Sequence, residues 1–202
     1  MGVLKWFPLS REGVSACGRG GQGVRVLLAL LLLGGGGRAG ADAGDDLEYQ
    51  VKAAFLFNFA KFAEWPADAF AGPEAPITIC VAGDDPFGES LDAAVRGETV
   101  GGRRLAVQRT RGLAKLRDCQ IVFVAGSERG RRHAILSSLE GAAVLSVGED
   151  DGFLTDGGVV RFVLDQNRVR FEINLAAAED NRLKLSSKLL RLARAVHPPQ
   201  GG

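Results

Sequence analysis

Three cysteines and two histidines are the most reactive residues of this 202-residue chain, and their spacing limits what they can do. Cys17 lies in an amino-terminal segment, whereas Cys80 and Cys119 lie in the central part of the chain. His133 follows two arginines, and His197 lies near the carboxyl terminus. No serine occupies a G-x-S-x-G elbow, and no two His or Cys residues share a zinc-ligand spacing. The sequence therefore predicts neither a serine hydrolase nor a His/Cys metal site.

The remaining candidates for chemistry are acidic residues in loops and one glycine motif. Asp84-Asp85 and Glu149-Asp150-Asp151 carry carboxylates of the kind that bind hard cations, but solvated turns have the same composition. Gly18–Gly23 matches G-x-G-x-x-G, yet it lacks the preceding strand and the sheet-packing helix that this motif needs. No phosphate-binding loop and no combination of nucleophile, base and oxyanion hole is recognisable. We therefore predict a protein that is not an enzyme and uses no cofactor or metal.

Composition and charge narrow the class of protein further. Apolar residues make up 46% of the chain, which is typical of a globular protein. Residues 1–41 hold five Lys or Arg and one Glu, and subtracting this +4 from the formal +1 leaves −3 for residues 42–202. A mildly acidic domain without an evident basic pole is a poor binder of nucleic acid, because phosphate neutralisation dominates such binding. Nucleic acid is therefore not an expected partner.

The amino-terminal segment has the pattern of an export signal. Arg25 precedes an apolar run from Val26 to Leu33, which is too short to span a bilayer, and Ala39-Gly40-Ala41 is a suitable cleavage site. The pattern predicts a signal peptide over residues 1–41, a mature domain over residues 42–202 and a periplasmic location. A disordered Gly-rich tail is the alternative.

The elements that would position functional residues begin with an aromatic helix. Apolar residues recur at Val51, Phe55, Phe59 and Phe62, which predicts a helix over residues 47–65 that Pro66 ends. Such a helix either forms core alone or lines part of a pocket or partner groove.

Strands and helices then alternate. Strands are predicted at 77–82, 104–108, 120–125 and 143–147; helices are predicted after Asp85-Pro86, as a short turn at 113–116, and at 128–140. Two further strands, at 157–164 and 169–175, are joined by the turn residues 165–168. A last helix is predicted within 183–196, capped by Ser186 or Ser187, with a frayed tail from His197. The alternation predicts a single three-layer α/β domain: a mostly parallel sheet flanked by helices, with an antiparallel hairpin late in the chain.

Cys80 and Cys119 are the two cysteines of the predicted mature domain. In an oxidising compartment they would form a disulfide, whereas two separate buried thiols are the alternative. Cys80 lies late in its predicted strand and Cys119 lies just before another, an offset that argues against a bond if the two strands are parallel neighbours. The residues alone leave both possibilities open.

Several segments in register resemble one known family. They are Tyr49–Phe62 with Glu64-Trp65-Pro66, Ile79-Cys80-Val81 with Gly83–Gly88, Gly102-Arg103, Cys119–Val124, Gly157–Phe162, Val169–Asn174 and Ser186–Leu190. With these segments the chain resembles the YfiR-like periplasmic family over roughly residues 47 to 196. None is a catalytic motif, but together they are specific.

The resemblance implies a small periplasmic α/β protein that regulates rather than catalyses. The best-known members bind the periplasmic sensor domain of an inner-membrane diguanylate cyclase and hold the enzyme inactive, which controls cyclic-di-GMP and biofilm matrix. An outer-membrane lipoprotein sequesters such regulators, and a homodimer is a further expectation. The resemblance also implies that one disulfide of the family corresponds to Cys80–Cys119. A second cysteine pair of the family, near residues 150–161, has no counterpart in this sequence.

Polar residues within apolar elements are the candidate contact residues. The candidate partner- or ligand-binding residues are Asn58, Lys61, Glu64, Trp65, Arg103, Glu172 and Asn174. Such groups either satisfy hydrogen bonds within the core or line a binding pocket. A small-molecule binding module without a cyclase partner is the alternative function, and an unrecognised hydrolase is a more distant one.

Overall fold

The structure, a computed structural model, describes residues 42–198, so the predicted signal peptide and the Gly18–Gly23 motif lie outside the described residues. The helices are α1 Asp42–Phe62, α2 Glu89–Val95, α3 Arg132–Leu139, α4 Leu175–Asp180 and α5 Ser187–Leu192, with 3₁₀ turns at Ala67–Ala69, Leu113–Asp118 and Gly126–Arg131. The strands are β1 Ala63–Glu64, β2 Ile77–Ala82, β3 Thr99–Val100, β4 Arg103–Thr110, β5 Ile121–Val124, β6 Leu145–Gly148, β7 Val160–Asp165, β8 Arg168–Asn174, β9 Lys184–Leu185 and β10 Ala195–His197.

Eight of these strands form one mixed sheet in the order β10-β8-β7-β6-β5-β2-β4-β3. Strands β4, β2, β5, β6 and β7 are parallel, and β8 turns back antiparallel to β7. The hairpin turn has positive φ angles at Gln166 and Asn167, 50° and 60°, the conformation that matches strand twist in a two-residue loop. The predicted α/β fold with its late antiparallel hairpin is confirmed.

Helix α1 differs from its prediction at the end and on its buried side. The helix ends at Phe62 rather than Trp65, because Ala63 and Glu64 pair with Leu185 and Lys184 in a separate two-stranded sheet. The pairing of two strands that are distant in sequence thus ends the helix four residues before Pro66. The buried face includes Leu56, whereas Val51 of the predicted stripe is 38% exposed.

The start of α2 was also predicted too early. Asp85 and Pro86 were expected to open this helix, but it begins at Glu89. The Asp85 carboxylate instead accepts a hydrogen bond from the Phe87 N–H at 2.8 Å, which forms a turn rather than a helix cap.

The carboxyl-terminal segment is more divided than its periodicity predicted. Ser186 caps α5 by accepting a hydrogen bond from the Leu189 N–H at 3.3 Å, which settles the boundary left open above. The helix ends at Leu192, which is 56% exposed and not part of the core. The chain then forms β10 beside β8, so His197 is paired in the sheet rather than frayed. Helix α4 was missed because Asn174 ends β8 and caps the helix at once.

The first face of the sheet is covered by α1 and α2. Phe55 and Phe59 of α1 pack on Phe162 and Phe171 of the hairpin, with ring centroids 5.1 to 6.0 Å apart. Such aromatic clusters contribute burial and specific packing together. This face holds the larger of two buried clusters.

The second face is covered only in part. Next to β2, β5 and β6 it is sealed by α3, by the 3₁₀ turn Leu113–Asp118 and by the buried ring of Phe153. A disulfide joins Cys80 and Cys119, whose Cα atoms are 6.0 Å apart. Cys80 is level with Val122 of β5, but Cys119 lies outside that strand at the end of the 3₁₀ turn, where the chain curves over the sheet. The offset expected from neighbouring parallel strands therefore does not separate the two sulfur atoms.

Candidate functional site

The predicted contact residues lie on both sides of the sheet. Asn58, Lys61 and Glu64 follow the outer side of α1 and the strand after it, whereas Glu172 and Asn174 point to the second face. The fold therefore does not gather them into one site. Their role in binding remains a prediction, but their contacts differ and can be described.

The α1 residues are the more accessible group. Lys61 and Glu64 are exposed. The Lys61 ammonium lies 5.1 Å from the centre of the Phe57 ring, a weak attraction at a solvated site. Asn58 is half-buried and donates from its amide to the Ala54 carbonyl oxygen at 2.9 Å.

Trp65 and Arg103 hold the loop between α1 and β2. The indole N–H of Trp65 donates to the Gln120 carbonyl oxygen at 3.1 Å. The Arg103 guanidinium donates to the carbonyl oxygens of Gly72 and Ala75 at 2.9 and 2.7 Å and stacks 3.9 Å from the Phe70 ring. These contacts satisfy backbone groups that the loop would otherwise leave unpaired.

Gln120 is the organising residue of this loop, and the sequence did not single it out. Its buried side-chain oxygen accepts from the Thr78 N–H at 2.8 Å, and its amide donates to the Ala69 carbonyl oxygen at 2.7 Å. Since Gln120 directly follows Cys119, the residues that anchor the loop after α1 and form the disulfide are adjacent in the chain.

The uncovered part of the second face forms a cleft of about 710 Å³ over β7, β8 and β10. Its lining consists of Gly152, Leu154, Thr155, Arg161, Glu172, Asn174, Ala176, Asp180, His197 and Pro198. The polar groups come from two hairpin strands, the loop after β6, α4 and the last strand. Small-molecule sites have such a volume and such a few converging polar groups.

An ion-pair network forms the floor of this cleft. Glu172 is 8% exposed, and its two carboxylate oxygens accept from Arg161 at 2.8 Å and from Arg194 at 3.2 Å. Arg161 also donates to Asp151 at 3.0 Å, while its Nε is buried and has no hydrogen-bond partner within residues 42–198. The network satisfies a buried carboxylate and leaves one guanidinium donor unused, which is uncommon for a buried polar atom.

Arg161 was missed by the sequence prediction, although a signal existed. Counting outward from the two-residue turn places Arg161 directly opposite Glu172 in the hairpin register. Opposite charges in that relation attract across a sheet. Asn174, by contrast, is committed to the fold: it caps α4 through the Ala177 N–H at 3.1 Å and donates to the Leu154 carbonyl oxygen at 3.0 Å.

A second buried charge cluster ties α1 to the loop after β6. Lys52 is 4% exposed and donates to Glu149 at 2.7 Å and to Glu48 of its own helix. The phenol of Tyr49 donates to the same Glu149 at 3.2 Å. Burial of the ring, reinforced by the charge of Glu149, raises the pKa of Tyr49, so the phenol keeps its proton.

Large apolar side chains are exposed on α1 and on the β7–β8 hairpin. Leu47 and Val51 are 63% and 38% exposed on the amino-terminal half of α1, and Leu164 is 58% exposed near the tip of the hairpin. Glu48 and Lys52 line the same groove as Val163 and Leu164, so these two elements are neighbours. Large exposed aliphatic groups of this kind are typical of contact surfaces when they lie together.

No group of three or more His, Cys, Asp or Glu side chains is placed to hold a metal ion within the described part of the chain. Among its helices, none combines the length and the apolar character needed to cross a membrane.

Two solved structures are distantly similar to this chain. A conserved domain protein from Vibrio cholerae is 11% identical with a TM-score of 0.45, covering 59% of this chain and 54% of that chain. The ABC domain in complex with L-Trp from Streptococcus pneumoniae is 11% identical with a TM-score of 0.49, covering 74% of this chain and 60% of that chain. The chain thus spans little more than half the length of either, and both similarities are too distant to inform on function.

Family comparison is more decisive than either structure. Among curated proteins, none is significantly similar to this chain. The model of the YfiR/HmsC-like family matches residues 49–194, from the aromatic helix α1 to the junction before β10. That range contains the disulfide, the hairpin and the floor of the cleft. Since the match covers more than half of the sequence, the chain belongs to the YfiR/HmsC-like family.

Proposed function

We propose that this chain is a periplasmic regulatory binding protein that represses an inner-membrane diguanylate cyclase by binding its periplasmic sensor domain. The single observation that carries the proposal is family membership over residues 49–194, since the best-known members act in this way. The protein would then lower cyclic-di-GMP and biofilm formation without catalysing a reaction. An outer-membrane lipoprotein that sequesters it, and a homodimer, remain further predictions.

The proposed compartment is supported by two independent features. Residues 1–41 have the pattern of a cleavable signal peptide, and the mature part contains a disulfide between Cys80 and Cys119. We expect mass spectrometry of protein from the native host to give an amino terminus near Asp42. An intact amino terminus in the cytoplasm would overturn the proposed location.

The proposed contact surface consists of the amino-terminal half of α1 and the tip of the β7–β8 hairpin. Phe55 of α1 packs on Phe162, with ring centroids 6.0 Å apart. Val51 lies one helical turn further out, and Leu164 lies two residues further along β7 on the same face. These side chains extend the aromatic core outward to solvent, which gives a partner an apolar anchor next to the charged Glu48 and Lys52.

A capture experiment tests this surface. The exported chain, used as bait in detergent-solubilised membranes, should retain a diguanylate cyclase that mass spectrometry identifies. Leu47→Ser with Leu164→Ser should reduce capture at least tenfold, because apolar anchors dominate such interfaces. Leu192→Ser, an equally exposed leucine on α5, is the matched control and should not change capture. Failure to retain any cyclase, or equal loss in the control, would contradict the proposal.

The cleft favours a second candidate function, a periplasmic small-molecule binding module. Its volume, its charged floor and the Arg161 Nε, which has no hydrogen-bond partner in the described part of the chain, are features of a ligand site. A ligand would raise the melting temperature of the protein in the absence of any protein partner. Thermal stabilisation that Arg161→Lys abolishes, together with unchanged cyclic-di-GMP in a deletion strain, would favour this candidate.

A further inference from the structure

The carboxyl-terminal edge of the domain carries a group of cations that the proposed function does not use, which we term the basic edge. It consists of Arg168 and Arg170 on β8, Lys188 and Arg191 on α5, and Arg194 at the junction with β10. All five side chains are exposed. Within residues 42–198, Arg194 alone of the five forms ion pairs, with Glu172 and Asp165.

The fold places these cations on the two sides of one sheet edge. Arg168 and Arg170 share the strand face of Glu172, whereas α5 packs its Leu189 into the cluster of the first face. The Arg194 N–H donates to the Phe171 carbonyl oxygen at 2.8 Å, so the chain that leaves α5 runs beside the outer half of β8. On α5, Lys188 and Arg191 lie on the exposed side, opposite the buried Leu189. Leu192 lies on this same side, one helical turn from Lys188, and is 56% exposed. The basic edge therefore has a protruding leucine among its cations.

The net charge of the domain is unevenly distributed along its sequence. Residues 165–197 contain seven Lys or Arg and four Asp or Glu, a net charge of +3. Since residues 42–202 carry −3 in total, the remainder of that range carries −6. The excess of cations therefore lies within residues 165–197, and five of the seven cations of that range belong to the basic edge. Such a charge separation orients a protein in front of an anionic surface.

The shape and chemistry of the basic edge narrow down what it contacts. It is built from a hairpin, a short helix and an edge strand rather than from a groove, and its apolar groups are protruding aliphatic side chains. Arg104 and Lys115 are also exposed and form no ion pair within residues 42–198, but they lie on elements without an exposed leucine. Cations around a protruding aliphatic side chain match an anionic lipid surface, where the head groups attract the charges and the acyl boundary accepts the leucine.

We propose that the basic edge docks the protein on the surface of membranes that contain anionic phospholipid. Binding is peripheral and reversible, and is weakened by salt because its charges are solvent-exposed. This inference does not rest on the cyclase proposal, since it concerns lipids and a separate set of side chains.

Vesicle sedimentation tests the inference. The full chain as recovered from its host, with the amino terminus fixed by mass spectrometry, is mixed with phosphatidylethanolamine vesicles with or without phosphatidylglycerol. We expect binding only with phosphatidylglycerol, and its loss in concentrated sodium chloride. Lys188→Glu with Arg191→Glu should lower the partition coefficient at least about 20-fold, given about fivefold per basic residue near an anionic surface. Arg104→Glu with Lys115→Glu, the matched control, should change it by less than about twofold.

Two outcomes would overturn the proposal. One is equal sedimentation of the Lys188→Glu/Arg191→Glu variant and its parent. The other is the absence of binding of the parent to phosphatidylglycerol vesicles; if the same variant then loses capture of an acidic membrane protein, the basic edge is assigned to a protein partner. Circular dichroism confirms that each variant is folded. Because Leu47→Ser/Leu164→Ser leaves the basic edge intact, loss of cyclase capture and loss of vesicle binding are separable.

Discussion

The second face of the sheet has a sealed half and an open half, and the two halves bury different kinds of side chain. The sealed half, over β2, β5 and β6, buries Cys80, Val122 and Phe153 under α3 and a 3₁₀ turn. The open half, over β7, β8 and β10, places Arg161 and Glu172 on the floor of a cleft. One half of the same face is stabilised by apolar packing and a covalent link, and the other by ion pairs next to solvent.

This difference indicates how stability and recognition are divided in the domain. Buried apolar packing and disulfides stabilise a fold at little cost in desolvation, whereas buried charges are stabilising only while every partner is present. The open half therefore retains polar groups that a ligand or partner can engage. We expect substitutions in the sealed half to lower the free energy of unfolding alone, and substitutions in the open half to affect binding as well as folding.

The largest expected effect is loss of the disulfide. Cys80→Ala with Cys119→Ala should lower the free energy of unfolding by about 4 kcal/mol, because the bond closes a long loop in the unfolded chain. Urea denaturation monitored by circular dichroism measures the loss. Reductant should destabilise the parent by a similar amount and leave the double variant unchanged. A parent that is indifferent to reductant would contradict the structural role of the bond.

A smaller effect is expected where Phe153 packs on the sheet. A Cβ atom at Gly148 would lie 2.3 Å from the Phe153 ring, so Gly148→Ala should cost about 1–3 kcal/mol through overpacking. Gly126→Ala is the matched control, since a Cβ there meets no other atom of the described residues within 4 Å. Adding Phe153→Leu to Gly148→Ala should recover part of the loss. Equal stability of the two glycine variants would show that the sealed half is loosely packed.

In the open half, Glu172→Gln tests the ion-pair floor. The variant leaves Arg161 and Arg194 without their shared carboxylate, and we expect a loss of about 1–3 kcal/mol in urea denaturation. Asp165→Asn is the control, because its pair with Arg194 spans 3.9 Å between exposed groups and should contribute less than about 0.5 kcal/mol. If Glu172 also contacts a partner, the folded variant loses repression as well. Unchanged stability together with unchanged repression would remove this residue from both roles.

The smallest effect on folding is expected on the outer side of α1. Lys61→Ala removes an exposed side chain and should change the free energy of unfolding by less than about 0.5 kcal/mol. If Lys61 contacts the cyclase, the folded variant still loses repression. A large loss of stability would contradict the exposed position of Lys61, whereas normal folding and normal repression would exclude Lys61 from the contact surface.

The local features of the fold could be predicted from the sequence, and the long-range ones could not. Strand β2 was predicted with its bounds because it is an apolar alternating run, and the β7–β8 hairpin because its turn is set by Gln166 and Asn167. The end of α1 could not be predicted, since it depends on pairing with Lys184 and Leu185, far along the chain.

The candidate site was less predictable for the same reason. Glu172 was singled out because it is polar within an apolar strand, but its partners Arg161 and Arg194 follow from register and from the path of the chain after α5. The walls of the cleft depend on α4 and β10, where periodicity predicted the end of a strand and the end of a helix. Short elements of this kind are fixed by caps and neighbours rather than by a repeating pattern.

The central claim, repression of a diguanylate cyclase, is tested most directly by measuring cyclic-di-GMP in a host from which this gene is deleted. Mass spectrometry of cell extracts should show a rise in cyclic-di-GMP with increased biofilm, and the parent gene supplied in trans should reverse both. Supplying the Leu47→Ser/Leu164→Ser variant should not reverse them, although the protein is exported and folded. Unchanged cyclic-di-GMP in the deletion strain would contradict the claim and leave the small-molecule binding module as the function to pursue.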